Sequence, residues 1–143
     1  MTKYLITGGA GFMGSNFVRT TLQRKDYVIN IDSLTYAGSI ENIRDLLNNK
    51  NHVFIKCDIG SKVKIKQILN KYNPDFIINF AAETHVDRSI DNPEAFIKTN
   101  IVAFFKFITV IKEYWMKLQK KKKSSFRLIQ ISTDEVYGDI KKG

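Results

Sequence analysis

One cysteine, Cys57, stands in the 143 residues, so no disulfide can close within the chain, and a reducing cytoplasm is the expected setting. Cys57 falls in an apolar run and reads as packed core rather than nucleophile. Long apolar stretches are scarce as well. The most apolar one, from Ile101 to Ile111, is interrupted by Lys106 and is too short for a bilayer, so no membrane association is expected. No charged segment followed by an apolar stretch opens the chain, and no leader is expected. Acidic residues are outnumbered, 14 against 23 Lys and Arg, for a net charge of +9. Yet no basic helix with interleaved aromatics and no nucleic-acid motif is present, so the excess reads as solvated surface rather than a nucleic-acid footprint. Much of it is local, in Lys117 and Lys120 to Lys123, a run expected to lengthen a surface loop. No metal site is expected.

The length allows one domain with a core of its own, and 43% apolar residues is ordinary for a soluble globular protein. The chain is organised around Thr7-Gly8-Gly9-Ala10-Gly11-Phe12-Met13-Gly14. This stretch follows the apolar run Tyr4-Leu5-Ile6 and precedes a helix-compatible run from Phe12 to about Arg24. Strand, glycine turn and helix form the context of a phosphate cradle. Gly8 permits the sharp turn, Gly11 leaves the backbone open to a pyrophosphate, and Gly14 lets the helix pack close to the strand. The spacing is G-x-x-G-x-x-G, and on its own the turn equally reads as a plain glycine turn. Tyr27 to Ile31 predicts the next strand, ending at Asp32, eighteen residues after Gly14. A carboxylate there suits adenosine ribose hydroxyls and repels a 2′-phosphate, with no compensating cation at Ser33, which argues for NAD over NADP. Asp32 also reads as a simple turn residue.

Further along, Ile40, Ile43, Leu46 and Leu47 recur at helical spacing,. Val53 to Cys57 predicts a third strand, closed by Asp58. A helix capped by Ser61 follows, with Val63, Ile65, Ile68 and Leu69 apolar, ending near Pro74. Phe76 to Phe80 predicts a parallel strand buried on both faces. Small and polar residues follow, Ala81, Ala82, Glu83 and Thr84, with His85 read as a polar loop residue. Asp91-Asn92-Pro93-Glu94 is a helix start, and the helix to about Lys117 is apolar on more than one face, enough for the sheet and for a partner surface. Phe126 to Ser132 predicts a fifth strand. Strands alternating with helices predict an α/β fold, a Rossmann-like doubly wound parallel sheet of about five strands. Right-handed crossovers bring Gly8 to Gly14, Asp32, Asp58, Ala81 to Thr84, and Thr133 to Glu135 to one edge.

With TGGAGFMGSNFVR at 7–19, DSLTYAG at 32–38, FAAETHVDRSI at 80–90 and ISTDEVYGD at 131–139, the chain resembles the N-terminal part of the dTDP-glucose 4,6-dehydratase family, within the extended short-chain dehydrogenases/reductases. The likeness runs along essentially the whole chain. The glycine motif marks only the superfamily; ISTDEVYG narrows it to nucleotide-sugar dehydratases, since related sugar epimerases lack the acid pair. The resemblance implies residues 1–143 as the first part of an NAD-binding domain, truncated before the rest of that domain and a substrate domain.

It implies backbone contacts from Phe12 and Met13 to the pyrophosphate, and Asp32, Ser33, Leu34 and Thr35 at the adenosine ribose. Asp58 and Ile59 would meet the adenine; Phe80, Ala81, Ala82, Glu83 and Thr84 would line the nicotinamide side, with Thr99 against the cofactor. Thr84 and Thr133 would contact the glucose ring of a dTDP-sugar. In the family's chemistry C4 of the sugar is oxidised by NAD, water leaves across C5 and C6, and hydride returns to C6. The match makes Asp134 the acid and Glu135 the base. Neighbours on an extended strand point to opposite faces, so both serve one sugar only if the backbone turns at Thr133. Ser132-Thr133-Asp134-Glu135 equally fits a capping box. The family also carries Tyr-x-x-x-Lys on a further helix, which is absent after Glu135, Tyr137 belonging to the Val-Tyr-Gly match. A homodimer is implied, and the 93–117 helix, left without that second helix, is expected to self-associate.

Overall fold

The computed structural model describes residues 1–84, 93–133, 136 and 138. Five strands are joined by helices: β1 (Lys3–Thr7), α1 (Phe12–Gln23), β2 (Tyr27–Asp32), a 3-10 turn at Ile40–Leu46, β3 (His52–Lys56), α2 (Lys62–Tyr72) and β4 (Phe76–Asn79). Then come α3 (Pro93–Phe96), a π-helical segment at Ile97–Ala103, α4 (Phe104–Lys117), α5 (Lys120–Ser125) and β5 (Arg127–Gln130). Every strand pairing is parallel, in the order β3-β2-β1-β4-β5. The sheet is therefore the doubly wound one expected, with the chain reversing direction across the sheet between β1 and β4.

Strand alternation sorts the core into two layers. Leu5, Ile29, Ile31 and Ile77 face α2 and α4, where Ile65, Ile68, Leu69, Phe107, Val110 and Ile111 complete one cluster. Ile6 and Val28 face the other way and pack with Val18 and Leu22 of α1. Because both faces are covered, β1 and β2 read as continuous apolar runs rather than alternating ones. Asn73 ends α2 in the left-handed region at φ 51°, one residue before Pro74, which cannot continue a helix.

Four local expectations need correction. Ile40–Leu46 is helical, as its spacing predicts, but wound as a 3-10 helix rather than an α-helix. Ser61 sits at the start of α2, but its side chain makes no capping hydrogen bond. The long helix is not uniform, since Ile97–Ala103 is wound as a π-helix. The lysine run is a helix, α5, not a loop. Lysine is a good helix former, and the short helix is pinned at both sides: Trp115 Nε1 donates to Lys123 O at 3.1 Å, and Lys122 Nζ reaches Asn73 O at 2.6 Å and Asp75 at 3.2 Å. Lys123 Nζ also lies 4.2 Å from the Trp115 ring centre.

Candidate functional site

The glycine turn is held from three sides. Gly8 adopts φ +67°, and a Cβ there would lie 2.7 Å from Ala81 N. Its own N–H donates to Ile31 O at 2.9 Å. The turn therefore sits directly against the ends of both β2 and β4. At Gly14 a Cβ would collide with Gly8 O and come within 2.9 Å of Gly9 Cα, so the close packing expected of Gly14 is against the turn itself rather than the strand. Gly11 differs. A Cβ there would meet only Gly8 O at 3.2 Å and Ala37 O at 3.7 Å, so packing within the chain nearly tolerates a side chain.

Ala10 is the fixed point of the turn. Its N–H donates to Asp32 Oδ2 at 2.9 Å, and its carbonyl accepts from Ser39 N at 3.0 Å and Asn42 Nδ2 at 2.7 Å. The other Asp32 oxygen accepts Leu34 N at 2.7 Å, with Leu34 at φ 54°. Beneath the turn, Asn30 is fully buried and its Nδ2 donates to Gly9 O at 3.2 Å. His52 Nδ1 lies 2.9 Å from Leu46 O and Nε2 lies 3.4 Å from Asn30 Nδ2. A carbonyl only accepts and an amide nitrogen only donates, which assigns the proton to Nδ1. Burial lowers the His52 pKa, against the Leu46 carbonyl, which raises it.

Two crevices open at the carboxyl ends of the strands. The first is lined by residues 8, 11, 31–33, 35, 37–38, 57–59, 80–83 and 99. It gathers Gly8, Gly11, Asp32, Ser33, Thr35, Asp58, Ile59, Phe80, Ala81, Ala82, Glu83 and Thr99 from the residues expected at a cofactor. Phe12, Met13, Gly14, Leu34 and Thr84 lie outside its lining. Phe12 and Met13 turn their side chains outward, 82% and 61% exposed, leaving backbone N–H groups of the first turn of α1 as what they can offer. The second crevice, about 390 Å³, brings Thr84 and Thr133 together with Phe96, Asn100, Gln130 and Ser132. Ala81, Ala82 and Glu83 form the wall between the two. Asp134 and Glu135 lie outside the described residues.

Cys57 is buried at the end of β3 and lines the first crevice. Burial pushes its thiol pKa up, with Lys64 lowering it and Asp58 raising it to lesser extents. It is therefore a thiol and a weak nucleophile, as the core reading expected.

Several side chains escaped the sequence reading. Thr7 Oγ1 donates to Asn79 Oδ1, and Asn79 Nδ2 donates to Gln130 Oε1 at 2.6 Å. This polar chain ties β1, β4 and β5 together beneath the crevices. Asn100 clasps the wall: Glu83 N donates to Asn100 Oδ1 and Asn100 Nδ2 donates to Glu83 O, both at 2.8 Å. The available signal was an amide inside an otherwise apolar run at Asn79; Asn100, behind Lys98 and Thr99, carried no such mark. The expected absence of Tyr-x-x-x-Lys after Glu135 needs correction as to spacing, since Tyr137 and Lys141 stand four residues apart. Gly138 between them has φ +69°, which is not helical backbone. Among the described residues no helix carries such a pair.

The profile of the GDP-mannose 4,6 dehydratase family matches residues 5–143. A dTDP-glucose 4,6-dehydratase from Salmonella typhimurium is 48% identical over 139 residues, 96% of this chain and 38% of that protein. One from Xanthomonas campestris is 44% identical over 140 residues, 98% of this chain and 40% of that protein. A crystal structure of the Streptomyces venezuelae dTDP-glucose 4,6-dehydratase with NAD bound superposes with a TM-score of 0.85 at 36% identity, covering 99% of this chain and 42% of that one. That of the Bacillus anthracis enzyme in complex with NAD gives 0.81 at 34% identity, covering 100% and 41%. The chain thus spans about 40% of the length of the curated relatives it matches. With the fold, the glycine turn and the strand-end crevices all in agreement with the profile, the chain belongs to the GDP-mannose 4,6 dehydratase family.

Proposed function

We propose that residues 1–143 form the NAD-binding part of a dTDP-glucose 4,6-dehydratase. The observation that carries this reading is the first crevice, where the glycine turn, Asp32, Asp58 and the Ala81–Glu83 wall meet at the reversal point of the sheet, the place where such sheets take nucleotides. The residues fit the cofactor. Gly11 lines the crevice with no side chain to fill it, and the first N–H groups of α1 are left to a phosphate by the helix geometry. Each Asp32 oxygen accepts one backbone N–H, so a lone pair remains on each for a ribose hydroxyl.

When bound, NAD supplies the acceptor and later the donor of a hydride. The chain's own residues do the rest. Thr84 and Thr133 offer hydroxyls to a sugar in the second crevice, across the wall from the cofactor. Asp134 acts as the acid on the departing hydroxyl and Glu135 as the base at C5. The last ladder bond of β5 is Ile131 N to Asn79 O at 3.0 Å. Among the described residues the ladder ends there, and a turn at Thr133 would let both acids serve one sugar. The sequence favours dTDP-glucose as substrate through relatives 44% and 48% identical. Other nucleotide sugars of the same family are the alternative, as is an NAD-binding or partner-binding module without catalysis. The helix face at residues 97–105 suits a second copy of the chain in a homodimer, and the single buried cysteine suits the cytoplasm.

Calorimetric titration of the purified chain with NAD and NADP tests the reading. Saturable binding with NAD the tighter ligand is expected; absence of binding by folded protein, or tighter NADP, would sink it.

A further inference from the structure

Among the described residues, neither crevice is lined by a lysine, arginine or histidine, although the chain carries a net charge of +9. The formal charges lining them are Asp32, Asp58 and Glu83. Two of these acids are committed to the backbone. Asp32 accepts Ala10 N and Leu34 N, and Asp58 Oδ1 accepts Gly60 N at 2.6 Å. Of the three acids only Glu83 lines both crevices, and no described residue pairs with its carboxylate. Its backbone is nevertheless fixed by the reciprocal clasp of Asn100, which comes from the π-helical segment. Thr99, the preceding residue, lines the first crevice while Asn100 lines the second.

Resting on the cofactor reading above, we propose that Glu83 biases the crevice toward the oxidised form of the dinucleotide. The two redox forms share their phosphates, riboses and adenine and differ at the nicotinamide ring. The oxidised ring carries a positive charge; the reduced ring is neutral. A carboxylate in the wall between cofactor and sugar therefore attracts one ring and has no net charge to attract in the other. Glu83 is half-buried, so solvent screens this attraction only in part. No cation lining the described crevices cancels it. The phosphates are left to backbone N–H groups and the α1 dipole, which serve both forms equally. The consequence for a dehydratase is a resting site loaded with the form that can accept hydride from the sugar.

The test compares affinities for NAD, NADH and ADP-ribose, the last lacking the nicotinamide, in the unsubstituted chain, Glu83→Gln and Glu83→Asp. The unsubstituted chain should prefer NAD to NADH. Glu83→Gln should shrink that preference by about threefold to tenfold, the effect of one unit charge at a part-buried site, while ADP-ribose affinity stays within about twofold. Glu83→Asp should retain most of the preference. In the unsubstituted chain the preference should also shrink between about 0.05 M and about 1 M salt, a measurement that needs no variant to fold. An unchanged NAD-to-NADH ratio in a Glu83→Gln protein that still binds ADP-ribose overturns the inference and leaves the cofactor reading standing. A salt-independent ratio counts against it in the same way. Failure of the folded, unsubstituted chain to bind any of the three ligands overturns the cofactor reading, and this inference with it.

Discussion

The backbone N–H of Ala10 donates to Asp32 Oδ2 at 2.9 Å, so the tip of β2 holds the glycine turn in place. Asp32 is only 7% exposed, and its second oxygen accepts Leu34 N at 2.7 Å. Asp32 is thus a strut of the cradle as well as the group expected to meet a ribose. Replacing it to admit NADP should fail. Asp32→Ala strands two backbone N–H groups, at about 1–3 kcal/mol for each that stays dry, and should lower thermal stability and abolish binding of both dinucleotides. A stable Asp32→Ala protein that binds NADP tightly would show that the strut is dispensable.

The three spaced glycines should separate in their effects. Gly8→Ala forces a side chain into a φ of +67° against Ala81 N, and Gly14→Ala drives one into Gly8 O. Both should cost at least about 1–3 kcal/mol of stability, the range for overpacking. Gly11→Ala meets nothing nearer than 3.2 Å and should change stability by less than about 1 kcal/mol. It should still weaken NAD binding, and a bulkier side chain at Gly11 should abolish it. Thermal melts and calorimetry on the three variants give the comparison; equal loss of stability at Gly11 would refute the distinction.

Stability should fall on acidification because of His52. Burial depresses its pKa in the folded chain, so unfolded protein binds the proton first. The penalty begins as pH drops through the unfolded value, about 6.5, and stops growing below the lowered folded value. Urea melts at about pH 7.5 and about pH 5.5, on either side of that unfolded value, should show the loss. Asn at position 52, which cannot take up the proton, should reduce it.

An alkaline limit should come from Tyr114. Burial first, then the Asp75 charge, push its pKa up to about 12 from 10.0, and its hydroxyl donates to Asn73 Oδ1 at 2.5 Å. Its contribution is fully present below the unfolded value and is lost as pH rises through the folded one. Tyrosinate absorbance should show a phase near pH 12, where Tyr114 titrates; Tyr114→Phe should remove that phase.

The helix face at residues 97–105 should drive self-association. Ile97, Ile101, Val102 and Phe105 are 53%, 62%, 42% and 62% exposed, an apolar grouping that a soluble monomer seldom shows. Ile101→Glu with Phe105→Lys should yield a more soluble, smaller species by light scattering, with NAD binding retained. A compact monomer of the unsubstituted chain at tens of micromolar, a concentration at which exposed apolar surface ordinarily aggregates, would contradict this.

Turnover by the 143-residue polypeptide should be absent. Among the described residues no helix presents a Tyr and a Lys four apart, and Gly138, inside the one late match in the sequence, has φ +69°. No described helix then offers a Tyr–Lys pair to take the C4 hydroxyl proton of the sugar. Formation of a 4-keto-6-deoxy sugar from dTDP-glucose by the purified polypeptide would refute this.

The sequence alone determined the layer order and the side of the sheet on which function gathers. Strands buried on both faces read as apolar runs without alternation, as in Phe76-Ile77-Ile78, and the glycine turn and Asp32 fall where strand ends must lie. Those features are local, written in spacing and residue type. Local winding was less legible, because helical spacing at Ile40 to Leu47 does not separate a 3-10 turn from an α-helix, and nothing local marks the π-helical segment at Ile97–Ala103. What only the tertiary structure decided is which residues hold one another across the chain. Asp32 as a strut, the Thr7–Asn79–Gln130 link and the Asn100 clasp on Glu83 join positions 22, 72, 51 and 17 residues apart. Each depends on the sheet register and on one turn of winding, because a hydrogen bond fails within about an ångström of its proper length, a precision no residue pattern carries.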